Sequence, residues 1–212
     1  MDERTQPAVD QEVLERLAQA DTGLPARREL ETDEVPSNDI RTVEGAALVT
    51  RAERDLAVSH WLLSAAENRD LARAQWRERD RIALLACGGI LSAIRLPARL
   101  VWCAAGSEEL KEVDVYLRQA IDGPVFMSLH TLRYYALVPG RALGQFPARD
   151  FPGAACIGRD HYLGVPDVGC TIPRGRSYWC VPMDSPGELC PVEAVEAMAR
   201  RGRARDRQRA CR

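Results

Sequence analysis

The chain has 212 residues, a formal net charge of −2 and 46% hydrophobic content. These values describe one globular domain with tails and exclude a wholly disordered chain. Its apolar runs, such as "LAVSHWLL" and "IALLACGGIL", are far shorter than the roughly 20 residues of a membrane-spanning helix. The first residues, "MDERTQPAVDQEVLERL", are acidic and lack the apolar core of a secretory signal, so the cytoplasm is the expected location.

Residues 1 to 45 hold twelve acidic and five basic residues and no aromatic residue. Three prolines interrupt this stretch. It is expected to be largely disordered over 1–44, with one short helix over 9 to 20. From residue 45, Leu48, Ala52, Leu56, Leu63 and Ala66 recur at helical spacing. That predicts a long N-terminal helix over 45–66, restarted by Asn68 or Asp70 and continuing to 79. Trp61 and Trp76 would anchor this helical arm, and 45–79 is a candidate surface for a protein partner.

"RIALLACGGILSAIRLP" reads as two strands joined by the turn Gly88-Gly89. Pro97 opens a helix, "PARLVWCAAG", that Gly106 closes. Ser107 caps the next helix, with Glu108 and Glu109 in its first turn. Leu110, Val113, Leu117 and Ala120 carry that helix to Ile121. "DGPVFMSLH" and "RYYALVP" follow as strands. Residues 141 to 152 form a loop. "ACIGRDHYLGVP", broken at Gly158, and "RSYWCVP" are further strands. Pro191 starts a last helix, "VEAVEAMARRG", with Gly202 as its stop. The tail 203–212 is rich in Arg; residues 199 to 212 hold seven Arg against one Asp. The fold class is α+β, a mostly antiparallel sheet flanked by helices, with its main domain over 80–202.

The seven cysteines include no C-x-x-C pair, so they read as structural thiols in a reducing compartment. No phosphate-binding glycine loop, serine elbow or H-E-x-x-H is present. With three His in all, a His-rich metal site is not expected. His60 reads as helix packing. His130 and His161 fall on neighbouring segments of the expected sheet, and His161 follows Asp160. Glu112 and Asp114 would share a face on a strand, but the spacing around them is helical, where i and i+2 diverge. Tyr134, Tyr135, Tyr162 and Trp179 lie near Arg133, Arg159, Arg174 and Arg176. Aromatic faces that stack bases, with Arg at the phosphates, hold single-stranded nucleic acid; the same aromatics also serve ordinary cross-strand packing.

"HTLRYYALVP", then "GRDHYLGVPDV", then "RSYWCVP" resemble the primase–polymerase (Prim-Pol) branch of the archaeo-eukaryotic primase superfamily, in particular its small, divergent actinobacterial members. The likeness spans residues 123 to 198 and reaches more loosely back to Ile82. It implies a role in nucleic-acid binding and DNA replication. The family's Asp-x-Asp strand has no counterpart in "RLVWCAAGSEEL", and "LRYY" replaces the Gly-Gly-x-His turn. Ser128 and His130 form a Ser-x-His slightly out of register.

The resemblance with these departures implies a nucleotide- or nucleic-acid-binding protein without polymerase activity and without a cofactor. Its ligand-binding residues would be His130, Arg133, Tyr135, Arg159, Asp160, His161, Tyr162 and Arg176, meeting in one cleft. Two alternatives remain. One is a nucleotidyltransferase holding divalent metal on Glu112, Asp114 and Asp160, which requires 107 to 121 to be a strand. The other is a regulatory module that docks a protein partner through 45–79.

Overall fold

The computed structural model describes residues 50–211, which lie in one compact unit. The acidic segment 1–44 and the first residues of the expected 45–66 helix lie outside them.

Helix α1 (Arg51–Leu63) opens on a capping box: Thr50 accepts from the Glu53 backbone N–H while the Glu53 carboxylate accepts from that of Thr50. Helix α2 (Arg69–Arg77) starts at Asn68, whose side chain accepts from the Asp70 and Leu71 N–H groups. The sequence predicts a long helix over 45–66 and a restart at Asn68 or Asp70 to 79. The structure has two short helices, because Ser64 to Asn68 end the first and cap the second. Nor do they form an arm. Val58, Leu62 and Leu63 of α1, and Ala72 and Trp76 of α2, are buried in the body. The Trp76 indole donates to the Val165 carbonyl.

The strands are β1 (Ile82–Ala86), β2 (Leu91–Pro97), β3 (Val125–Ser128), β4 (Arg133–Pro139), β5 (Ala155–Ile157), β6 (Tyr162–Pro166) and β7 (Ser177–Val181). All pairs are antiparallel. A five-stranded sheet has the order β5-β2-β4-β3-β7, and β1 pairs with β6 alone. The expected hairpin at Gly88-Gly89 is therefore absent: β1 and β2 lie in different sheets. The two segments 82–97 and 155–166 instead run as one bent ribbon, β1 on β6 and β2 on β5. Both break at glycines, and the breaks lie side by side. The Cys87 N–H donates to the His161 carbonyl. Gly88 has φ 91°, and a side chain there would meet the Arg159 backbone at 2.5 Å. β1 is buried only at alternate positions, whereas β2 is buried on both faces. Strands with such different patterns need different neighbours.

Helices α3 (Ala98–Ala105), α4 (Leu110–Ala120) and α5 (Val192–Ala210) cover one face of the large sheet. Helix α3 ends at Gly106, whose φ of 84° lets its N–H bond back to Trp102. Helix α1, helix α2 and the β1–β6 ribbon cover part of the other face. Two further expectations fail here. Gly202 does not stop the last helix, and residues 203–210 are not a tail; both belong to α5. A Cβ on Gly202 would lie 2.2 Å from the Leu100 carbonyl oxygen. The glycine is where α5 crosses α3 at close range. Among the described residues no helix is long and apolar enough to cross a membrane.

Candidate nucleic-acid interface

Side chains alternate between the two faces of each strand. On β4, Tyr134, Ala136 and Val138 enter the core beneath the helices, which leaves Arg133, Tyr135 and Leu137 on the opposite face. Register then sets two rows across that face. The first runs Arg95, Tyr135, Phe126, Trp179 over β2, β4, β3 and β7. The second runs Arg133, Ser128, Ser177.

The first row is an aromatic ladder with a cation at one end. The Tyr135 and Phe126 rings stack at 4.9 Å with 12° between planes, and Phe126 meets Trp179 edge-on at 5.3 Å. The Trp179 indole N–H donates to the Pro166 and Asp167 carbonyls. Phe126 and Trp179 are buried, while Tyr135 and Arg95 are half-buried. Arg95 stands directly across from Tyr135, with Arg133 diagonal to it. Its Nε is buried and has no hydrogen-bond partner among the described residues. A buried guanidinium nitrogen without an acceptor is costly. Sequence pattern alone does not single out Arg95. Its only signal is a lone charge inside the apolar strand "LSAIRLP".

The open end of this face forms a hollow of about 400 Å³ between the large sheet and the α2–β1–β6 side. His130 and Thr131, in the β3–β4 turn, stand at its rim with Arg176; Tyr135, Ser128 and Ser177 line its sheet side. The Thr131 hydroxyl donates to Ser128 Oγ at 2.9 Å. Arg176 pairs with Asp80 at 2.9 Å, both about half exposed. Glu78 lies on the same wall. The wall toward α2 is therefore acidic; Arg95 and Arg133 lie on the same sheet face outside the hollow's lining, with the Arg133 guanidinium directed toward Gly153.

The eight expected ligand residues do not share one cleft. His130, Tyr135 and Arg176 line this hollow, and Arg133 lies on the same sheet face. Arg159, Asp160, His161 and Tyr162 line a separate hollow of about 380 Å³, with Glu67 and the Gly88-Gly89 bend. The bend at Gly158 carries them there, out of the large sheet and into the ribbon. In that hollow the groups are engaged locally. His161 Nδ1 lies 2.9 Å from the Arg159 carbonyl oxygen. Asp160 has φ 65°. The Tyr162 hydroxyl donates to the Glu67 carboxylate, which raises its pKa above the ordinary phenol value. A third hollow beside α1, about 290 Å³, sets Arg51 and Arg54 against Asp55 and Asp184.

The metal alternative requires a strand over 107 to 121. Residues Leu110–Ala120 form α4 instead. Glu112 is exposed, while Asp114 accepts a hydrogen bond of 3.0 Å from the Tyr178 hydroxyl. Burial raises the Asp114 pKa, and that hydrogen bond partly opposes the shift. Asp160 lies in the Gly88-Gly89 hollow. Among the described residues no group of three or more His, Cys, Asp or Glu is placed to hold a metal ion. In comparisons with known proteins, no family model, curated protein or solved structure matches the chain.

Proposed function

We propose that the protein binds single-stranded nucleic acid or a nucleotide on the open end of this sheet face, on a Prim-Pol-like scaffold that does not carry out synthesis. Tyr135, supported from behind by Phe126, would stack a base. Arg95 and Arg133 would take the phosphates, with His130, Ser128 and Thr131 bonding sugar or phosphate at the rim. Base stacking on an aromatic ring contributes about 1–3 kcal/mol per base and tolerates any sequence. Arginine's planar fork suits phosphate oxygens.

The observation that carries this reading is the hollow lined by Tyr135, Ser128, His130 and Thr131, with Arg95 at the strand position paired with Tyr135. Fluorescence anisotropy of a labelled single-stranded oligonucleotide, titrated with salt, tests the proposal. Tyr135→Ala should weaken binding by about tenfold or more, as expected for loss of one stack, while Tyr135→Phe keeps it. No binding even at low ionic strength, or equal binding by Tyr135→Ala, overturns it.

A further inference from the structure

The C-terminal half of α5 presents a second cationic surface, on the other side of the large sheet from the Tyr135 face. Between Arg200 and Arg209 the helix holds six Arg and one Asp. Helical spacing divides the six into two rows: Arg200, Arg203, Arg207 on one flank, and Arg201, Arg205, Arg209 on the other. Steps of four residues separate neighbours by about 6 Å along the axis. The buried seam between the flanks is Val195, Met198, Ala199 and Gly202.

Few of these charges are neutralised. Glu196 takes Arg200, and the single Asp206 is held by Arg99 at 2.9 Å. Arg203 and Arg205 donate to the Asp150 and Ala104 carbonyl oxygens, which leaves their full charge and most of their donors available. Arg201 sits 5.8 Å over the Tyr116 ring. Arg207 and Arg209 make no side-chain hydrogen bond or ion pair with a described residue. Among the described residues, the one carboxylate lining the Arg200–Arg203–Arg207 hollow is that of Asp150. Five arginines thus keep uncompensated charge on a rigid helix.

We propose that this surface docks the phosphate backbone of a nucleic-acid duplex, without reading its sequence. A duplex offers a regular array of phosphates, one charge per about 1.7 Å of axis, to which two rows of regularly spaced guanidinium groups are complementary. A membrane surface fits less well. The exposed positions of this half-helix are Arg200, Arg201, Ala204, Arg207, Gln208 and Arg209, and they include no Leu, Phe or Trp to enter the acyl boundary. The proposal does not rest on the Tyr135 site, which uses other residues on the other face.

The test uses the full chain with a short labelled duplex, over a salt series. Arg207→Gln combined with Arg209→Gln should reduce duplex affinity and lower the magnitude of the salt slope by about 1.8, at about 0.9 for each phosphate no longer neutralised. The urea midpoint should not move, since neither side chain bonds the fold. Tyr135→Ala should leave duplex binding unchanged, which keeps the two sites distinguishable. Two results overturn the proposal: no duplex binding at low salt, with or without arginine-dependent binding to phosphatidylglycerol vesicles, or an unchanged slope in the double variant.

Discussion

Arg95→Met separates function from stability at one position. Arg95 is half-buried on β2, and its Nε has no hydrogen-bond partner among the described residues. Leaving such a donor unsatisfied costs about 1–3 kcal/mol. Met keeps an apolar chain of similar length on that sheet face and removes the donor. The variant should therefore gain about 1 kcal/mol in unfolding free energy, or about 2–4 °C in Tm for a domain of this size. Binding should move the other way. A hydrogen bond to a charged phosphate contributes about 1.5–3 kcal/mol, so single-strand affinity should fall by about 10- to 100-fold. Urea unfolding followed by Trp fluorescence, and anisotropy with a labelled single strand, measure the two effects. A variant less stable than the parent by 1 kcal/mol or more would mean that Arg95 holds the fold, and unchanged affinity would remove it from the site. Either result refutes the reasoning.

Gly202→Ala should invert the usual helix rule. Alanine normally gains about 1 kcal/mol over glycine inside a helix. Here the new methyl would lie 2.2 Å from the Leu100 carbonyl oxygen, so overpacking should leave a net loss of about 1–3 kcal/mol in urea unfolding. Gly89→Ala, which points into open space, is the control and should be neutral or slightly stabilising; a stabilised Gly202→Ala contradicts the close crossing. Asp114→Asn should reveal a pH dependence. Burial raises the folded-state Asp114 pKa above its ordinary 3.8, so the native protein holds that proton more tightly than the unfolded chain. Stability is then lost as pH rises from 3.8 through the raised value. Asn still accepts from Tyr178 without a charge, so the variant should gain on the parent between acid and neutral pH. A pH-independent gap contradicts this. Among the cysteines, Cys211 is exposed, whereas Cys87, Cys103, Cys180 and Cys190 are buried. Burial pushes the Cys87 thiol up to about 11 and also raises that of Cys180. Under native conditions iodoacetamide should label Cys211 first and the buried four only on unfolding, as read by mass spectrometry. Early labelling of Cys87 or Cys180 contradicts the packing.

Local signals made much of the secondary structure legible. Asn68 restarts a helix, Gly106 ends one, and the spacing of Leu110, Val113 and Leu117 is helical. Each depends on residues within a turn or two of one another. The failures share a different origin. Gly202 carries the same local mark as a helix stop, yet a helix can run through a glycine when another backbone needs the space. Gly88-Gly89 carries the mark of a hairpin, yet its strands differ in how many faces they bury. Neither choice is encoded within the segment itself.

The candidate site divides the same way. Residue type named Tyr135, Arg133, His130 and Arg176, because aromatics among arginines suggest stacking and phosphate. Arg95 carries no such mark, since a single cation in an apolar strand acquires meaning only beside its cross-strand neighbour. Sequence places Arg159 to Tyr162 on a segment expected to neighbour the others in the sheet, and the bend at Gly158 carries them into another hollow. The amino-acid order by itself determined the class of fold, most element identities and the chemistry on offer. Strand register and the packing of helices on sheet decided which of those groups meet, because side-chain proximity across a sheet depends on pairings tens of residues apart.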